Sequence, residues 1–221
     1  MAAEREQQAH NTMFRWFALV VFLATLGVSA RRRWQARRAG GRIRRSEEPT
    51  ALIAGRLLVA LPMFGGVIAY LANPDWMGWA SLSLPLWARW TGVALGLLVV
   101  PSVYWVLTAL GTNVSETVLT KPQHRLVTTG PYRWVRHPLY TTGIALFLSI
   151  ALMAANWFIL LWAVVAPVAL RLAVIPREEA ALVARFGDEY RRYRSVTGSL
   201  LPLGIGARRR SGSHDVERQT K

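Results

Sequence analysis

Two stretches of the chain carry the side chains that could bind or transform a small molecule. Residues 124–140 read HRLVTTGPYRWVRHPLY and hold two of the four histidines, three arginines, two prolines, one glycine and two tyrosines. Pro138 suits the first turn of a helix and biases His137 toward an extended backbone, which holds the imidazole at the helix mouth with Tyr140 about one turn in. The free N–H groups and positive dipole end of such a helix favour an anion such as a carboxylate. Gly130-Pro131 sets a turn that lets backbone approach a ligand closely. The second stretch, 177–194, opens with paired carboxylates, Glu178 and Glu179. An acid there can accept hydrogen bonds from ribose hydroxyls or face an ammonium or sulfonium cation. Singly, each residue has a plainer reading: His137 as a helix cap, Arg133 and Arg136 as topology charges, the acids as first-turn residues. Together on one face, they suit a zwitterionic nucleoside better than a plain lipid headgroup.

The elements that must position these groups are membrane helices. Of the 221 residues 52% are hydrophobic, in blocks of about 17 to 25, the length that crosses roughly 30 Å of hydrocarbon. The net charge of +15 is confined to the segments between and after those blocks, as orientation signals are, which argues against nucleic acid. Cysteine is absent, which removes disulfides and thiolate metal sites; no metal is expected.

Five spans are expected, at about 13–30, 51–72, 86–110, 139–155 and 157–175. Val28-Ser29-Ala30 resembles a cleavage site, but Glu4 and Glu6 precede the first block and Arg31-Arg32-Arg33 follows it, the charge order of a retained helix. The segment 31–50 carries eight arginines and is read as a cytoplasmic linker on anionic headgroups. The turn after span two, NPDWMGWASLSLP, has no Lys or Arg and two Trp, as an outer loop with an aromatic belt would. Spans four and five are joined by little more than Asn156, which forces a tight antiparallel hairpin. Val183, Phe186, Tyr190 and Tyr193 then share one face of a single amphipathic helix, with Gly187 a place for a kink. The basic tail 203–221 is expected to be disordered. The fold class is therefore all-α, integral to the membrane, with its N-terminus outside and both polar stretches on the cytoplasmic side. Three regions are expected: 1–110 with three spans, 111–202 with the chemistry, and the tail. Arg171, about one turn from the cytoplasmic end of span five, is either a snorkelling side chain or a functional one.

HRLVTTGPYRWVRHPLYTTG, followed some forty residues later by EEAALVARFGDEYRRY, resembles the isoprenylcysteine carboxyl methyltransferase family and the wider set of membrane phospholipid methyltransferases. The resemblance covers about residues 112–202, in the five-span form of prokaryotic members. It implies an S-adenosyl-L-methionine-dependent methyltransferase acting on a lipophilic small molecule or lipid with the bilayer as its partner. Implied cofactor contacts are His124, Arg125, Leu126, Val127, Tyr132, His137, Pro138, Leu139, Tyr140 and Glu178, with Arg136, His137 and Glu178 at the reacting centre. Spacing alone leaves Glu179 a rival to Glu178; alignment through FGDEY favours Glu178. The prenylcysteine enzymes hold their substrate carboxylate with an arginine where this chain has Val174, so Arg171, one turn earlier, is the substrate-binding candidate. The rival readings are a sterol-type membrane reductase using a nicotinamide dinucleotide and a non-catalytic scaffold or small transporter.

Overall fold

The structure, a computed structural model, describes residues 2–40, 50–111 and 126–202. These form seven helices: α1 (Ala2–Gly40), α2 (Thr50–Ala72), α3 (Leu86–Leu110), α4 (Pro138–Ala154), α5 (Trp157–Ala169), α6 (Ile175–Phe186) and α7 (Asp188–Val196). A π-helical turn, Leu170–Val174, joins α5 to α6 without a break in the rod. No strand is present among the described residues, so the protein is all-α. The stretches 5–36, 86–110 and 157–186 are long and apolar enough to cross a membrane, and Leu57–Ala72 and Pro138–Ala154 are shorter apolar helices. Leu58, Leu61, Leu97, Leu98 and Leu172 point outward with more than half of their surface uncovered. So wide an apolar exterior is stable only in lipid, and the chain is an integral membrane protein.

α3 is the central element, packed most extensively on α4 and α1. Its buried positions Gly92, Val93, Gly96, Val99, Val103, Val106 and Leu107 recur at helical spacing, giving one continuous core face. The core is completed by Phe14, Ala18 and Val21 of α1, Phe147, Ile150 and Met153 of α4, and Ile159 and Ala163 of α5. The two glycines permit that close approach. A Cβ on Gly92 would sit 2.8 Å from both the Leu152 Cβ and the Ser149 carbonyl oxygen. One on Gly96 would meet Val21 at 3.1 Å. Without a hydrophobic force between helices in lipid, such small-residue contacts supply the packing.

The end of the bundle away from the polar stretches is closed by side chains that satisfy helix-terminal carbonyls. Arg89 is buried in α3 and donates through Nε (3.1 Å) and Nη2 (2.9 Å) to the Met153 carbonyl near the end of α4. Its Nη1 reaches Asn11 Oδ1 at 2.7 Å and its guanidinium lies 4.2 Å from the Phe14 ring centroid. Arg15 does the same for α2, donating to the Leu71 and Ala72 carbonyls. Asn156 turns the α4–α5 hairpin: its side-chain oxygen accepts from the Ile159 N–H at 3.1 Å and its amide donates to the Met77 carbonyl at 3.1 Å. Ala155 before it takes the left-handed conformation, φ 49°. The expected outer turn contains a 3-10 helix, Pro74–Ala80, with Trp79 edge-on to Trp157 at 5.4 Å.

Two expectations are revised. The first helix does not stop at Ala30 but continues to Gly40, so the first ten residues of the presumed linker are helical. RRRWQARR is made of good helix formers, and the extension is pinned to α3 by Arg32, which donates to Thr108 Oγ1 at 2.6 Å and covers the Tyr104 ring. The amphipathic helix after span five is two helices, divided at Gly187. That residue has φ 55°, a conformation in which a side chain is strained. The rest of the linker, residues 41–49, and the tail 203–221 lie outside the described residues.

Gly92→Ala should force α3 from α4 and lower stability by about 1–3 kcal/mol, read as a reduced thermal midpoint in detergent. Gly65→Ala, whose added Cβ meets nothing within 4 Å, should not be destabilising. An equal loss for both substitutions would contradict the packing account.

Candidate functional site

The site forms where the start of α4 meets α6 and the end of α7. Residues 130–133 make a tight 3-10 turn in which Gly130 has φ 60°. A Cβ there would lie 3.3 Å from the Ala109 Cβ, so the turn both needs glycine and leans on α3. Trp134 packs edge-on against Trp105 at 5.5 Å. The chain then runs past residues 197–200 in a short parallel pairing: the Arg136 N–H donates to the Gly198 carbonyl (2.8 Å), the His137 N–H to Ser199 (3.1 Å), and Thr141 Oγ1 to Leu200 (2.7 Å). Residues 197–200 thus act as a strap across the mouth of α4. Tyr193 adds a further tie, its hydroxyl donating to the Tyr132 carbonyl at 2.6 Å.

Pro138 opens α4 as expected, with His137 in the capping position. The imidazole, however, caps nothing; it is turned to the two acids. Its Nε2 lies 3.3 Å from Glu179 Oε1 and its Nδ1 3.5 Å from Glu178 Oε2. The ring stacks on Tyr140, centroids 5.8 Å apart and planes within 20°. The Tyr140 hydroxyl donates to Glu178 Oε1 at 2.5 Å. Arg136 donates through Nε to Glu179 Oε1 at 2.8 Å, and through Nη1 to the carbonyls of Arg194 (3.1 Å) and Thr197.

The two neighbouring carboxylates therefore have different surroundings. Glu179 is buried, with Arg136 and His137 on one oxygen and Arg194 3.8 Å from the other. Burial works to raise its pKa, but the hydrogen bonds from His137 and Arg136, and the charge behind them, outweigh burial and hold it below the ordinary carboxylate value. Glu178 keeps 20% of its side chain exposed and is met by Tyr140 and His137. The tyrosines here are pushed the other way. Burial raises Tyr132 well above a free phenol, and raises Tyr193 to about 12 against the pull of Arg136.

Of the residues expected from sequence, Tyr132, Arg136, His137, Pro138, Leu139, Tyr140 and Glu178 share this end of the bundle. Leu126 and Val127 are half-buried just before the Gly130 turn, and His124 and Arg125 lie outside the described residues. Arg171 is not part of the cluster; its side chain is exposed on the π-helical turn. At about 100° per residue an unbroken α-helix would bring positions seven apart to within about 20° of each other. The π turn absorbs one extra residue and swings Arg171 about 100° away from Glu178. Sequence reasoning did not find Glu179 as the partner of Arg136, nor Arg194, Tyr193 and the strap. The only advance signal for these was that the resemblance runs on to about residue 202.

Comparison with known proteins assigns the region that carries the site. A family model described as phospholipid methyltransferase matches residues 86–189, from the start of α3 into α7. Over those residues the chain is similar to that family. The match begins earlier than the resemblance read from the motifs, taking in α3, whose face carries α4. The chain is also 40% identical over 65 residues to the uncharacterized protein YpbQ of Bacillus subtilis (strain 168), which is 29% of this chain and 39% of that protein. A solved structure, the eukaryotic intramembrane Ras methyltransferase isoprenylcysteine carboxyl methyltransferase, aligns at a TM-score of 0.48 and 20% identity, over 73% of this chain and 54% of that one. The chain thus spans about two fifths of the curated relative it matches and about half of the solved structure.

Because the Glu179 pKa is depressed in the folded state, its contribution to stability is complete above the ordinary value of 4.5 and is lost as pH falls through the lower folded value. Thermal midpoints measured against pH should therefore fall more steeply below pH 4.5 for the native chain than for Glu179→Gln. Parallel curves would show that this carboxylate contributes nothing.

Proposed function

We propose that the protein is a membrane methyltransferase that uses S-adenosyl-L-methionine and acts on a lipophilic or amphiphilic acceptor. The observation that carries this reading is the convergence of His137, Tyr140 and Glu178 within the region matched by the family model. The residues fit the cofactor chemically. Glu178 is a partly exposed carboxylate able to accept hydrogen bonds from ribose hydroxyls. The α4 N-terminus, begun by Pro138, offers a positive dipole end to a carboxylate. The paired rings of His137 and Tyr140 give a flat apolar wall. When bound, the cofactor supplies a methyl group already activated by its sulfonium, so the protein's share of the work is positioning and exclusion of water.

Each side chain has a part in that positioning. Tyr140 orients the Glu178 carboxylate through its 2.5 Å hydrogen bond, and His137 packs against Tyr140 and fixes its ring. The buried Tyr132, tied by its carbonyl to Tyr193, walls the site beside Glu178. The acceptor would enter from the bilayer, since α4 and α5 that flank the site are apolar helices with outward-facing hydrocarbon. We place this end of the bundle on the cytoplasmic side, as the arginine-rich segments favour. Arg171, on the outer surface of the π turn, is a candidate for an acceptor's charged group at the membrane edge.

Isothermal titration with S-adenosylhomocysteine tests the site. The native chain should bind, and Glu178→Ala should weaken binding about 10- to 100-fold, the loss of one or two charge-assisted hydrogen bonds at about 1.5–3 kcal/mol. Absence of heat with the native chain, or binding unchanged in Glu178→Ala, would remove the proposal. Transfer of labelled methyl groups into whole-membrane lipid extracts would then identify the acceptor, and turnover that needs NADPH without methyl transfer would favour a reductase.

A further inference from the structure

Adjacent acids rarely have the same neighbours on a helix, because successive residues point about 100° apart. Here the difference separates two functions. Glu178 faces Tyr140 and the exposed side of the site, whereas Glu179 is turned inward, where a single oxygen serves both Arg136 Nε at 2.8 Å and His137 Nε2 at 3.3 Å. Arg136 carries the connection onward, its Nη1 binding the carbonyls of Arg194 and Thr197 at the end of α7 and the start of the strap. Arg194 returns a longer contact to the other Glu179 oxygen. One buried carboxylate therefore joins three pieces of chain: the residues before α4, the first half of α6, and the end of α7. A buried charge with good partners costs little while they stay, and a great deal when one is removed.

We infer that Glu179 is a positioning residue, which fixes the His137 ring and, through Arg136, keeps residues 197–200 docked across the mouth of α4. It acts on a ligand only through those groups. Docking matters to binding because the strap takes the Arg136 and His137 N–H groups and the Thr141 hydroxyl, and so sets the backbone from which His137 and Tyr140 project. Without the Glu179 charge, Arg136 is left with carbonyls alone, the imidazole loses its inner partner, and the guanidinium that holds the strap is no longer anchored to α6. The ligand arm of this inference rests on the cofactor reading above; the strap arm does not.

The test uses the full chain in lipid nanodiscs with two readouts, tryptic cleavage at Arg191, Arg192 and Arg194 without ligand, followed by mass spectrometry, and affinity for S-adenosylhomocysteine. Glu179→Gln should speed that cleavage about tenfold and weaken binding about tenfold, the scale of one lost charge-assisted hydrogen bond. Glu179→Asp, which keeps the charge on a shorter arm, should show both changes at smaller amplitude, and remains informative if the glutamine variant does not fold. Adding Arg136→Gln to Glu179→Gln should cost little more than the worse single change, since the two act through one contact. Weaker binding with unchanged cleavage would mean that Glu179 touches the ligand itself and would overturn the inference, as would two unchanged readouts. If the native chain binds no S-adenosylhomocysteine, the proposed cofactor is wrong, and the cleavage comparison still decides whether Glu179 holds the strap.

Discussion

A helix that ends inside or against a bilayer cannot leave its last carbonyls or first N–H groups to water, and each unsatisfied group costs several kcal/mol. The described structure is arranged around that constraint at both ends. At one end Arg89 and Arg15 donate to the terminal carbonyls of α4 and α2, and Asn156 caps α5 while crossing to the 3-10 turn. A buried arginine in hydrocarbon is costly, yet here each is satisfied by carbonyls at the negative end of a helix dipole, which also offset its charge. At the other end the His137 carbonyl accepts from the Tyr140 and Thr141 N–H groups of α4, and residues 197–200 accept from Arg136 and His137 just ahead of it.

The two solutions leave different chemistry. Side-chain donors satisfy carbonyls at the first end, and the surface exposed there includes Trp76, Trp79 and Trp157. At the strapped end the imidazole of His137 does not cap α4 and turns to the acids of α6. A partly exposed carboxylate flanked by two aromatic rings then stands at the mouth of α4. The site is thus tied to how α4 is started, and its residues belong to the segments that the family model spans, apart from Tyr193, Arg194 and the strap.

What could be read from sequence was what is local. The helix start at Pro138, the order His137–Tyr140 along it, the hairpin at Asn156 and the turn at Gly130-Pro131 each depend on a few adjacent residues, and all stand where expected. What could not be read depends on pairing across roughly sixty positions or on a change of helical pitch. Arg136 and Glu179 are 43 residues apart, and Arg136 and Thr197 are 61. Nothing in their types distinguishes them from topology charges. The π turn at 170–174, which carries the exposed Arg171, is equally silent, since leucine, arginine, alanine and valine sit in either pitch. Arg89 and Arg15 read as single charges at the edge of apolar runs, with no hint that a carbonyl of another helix awaits them.

The position of the strap also sets an order of events. Chains leave the ribosome N-terminus first. The mouth of α4, with His137 and Tyr140, is therefore synthesised about sixty residues before the backbone that will cover it. During that interval the five apolar helices can all be inserted while the polar end is still open. The described apolar helices are thus made before the site can close, and what closes it is four residues of plain backbone.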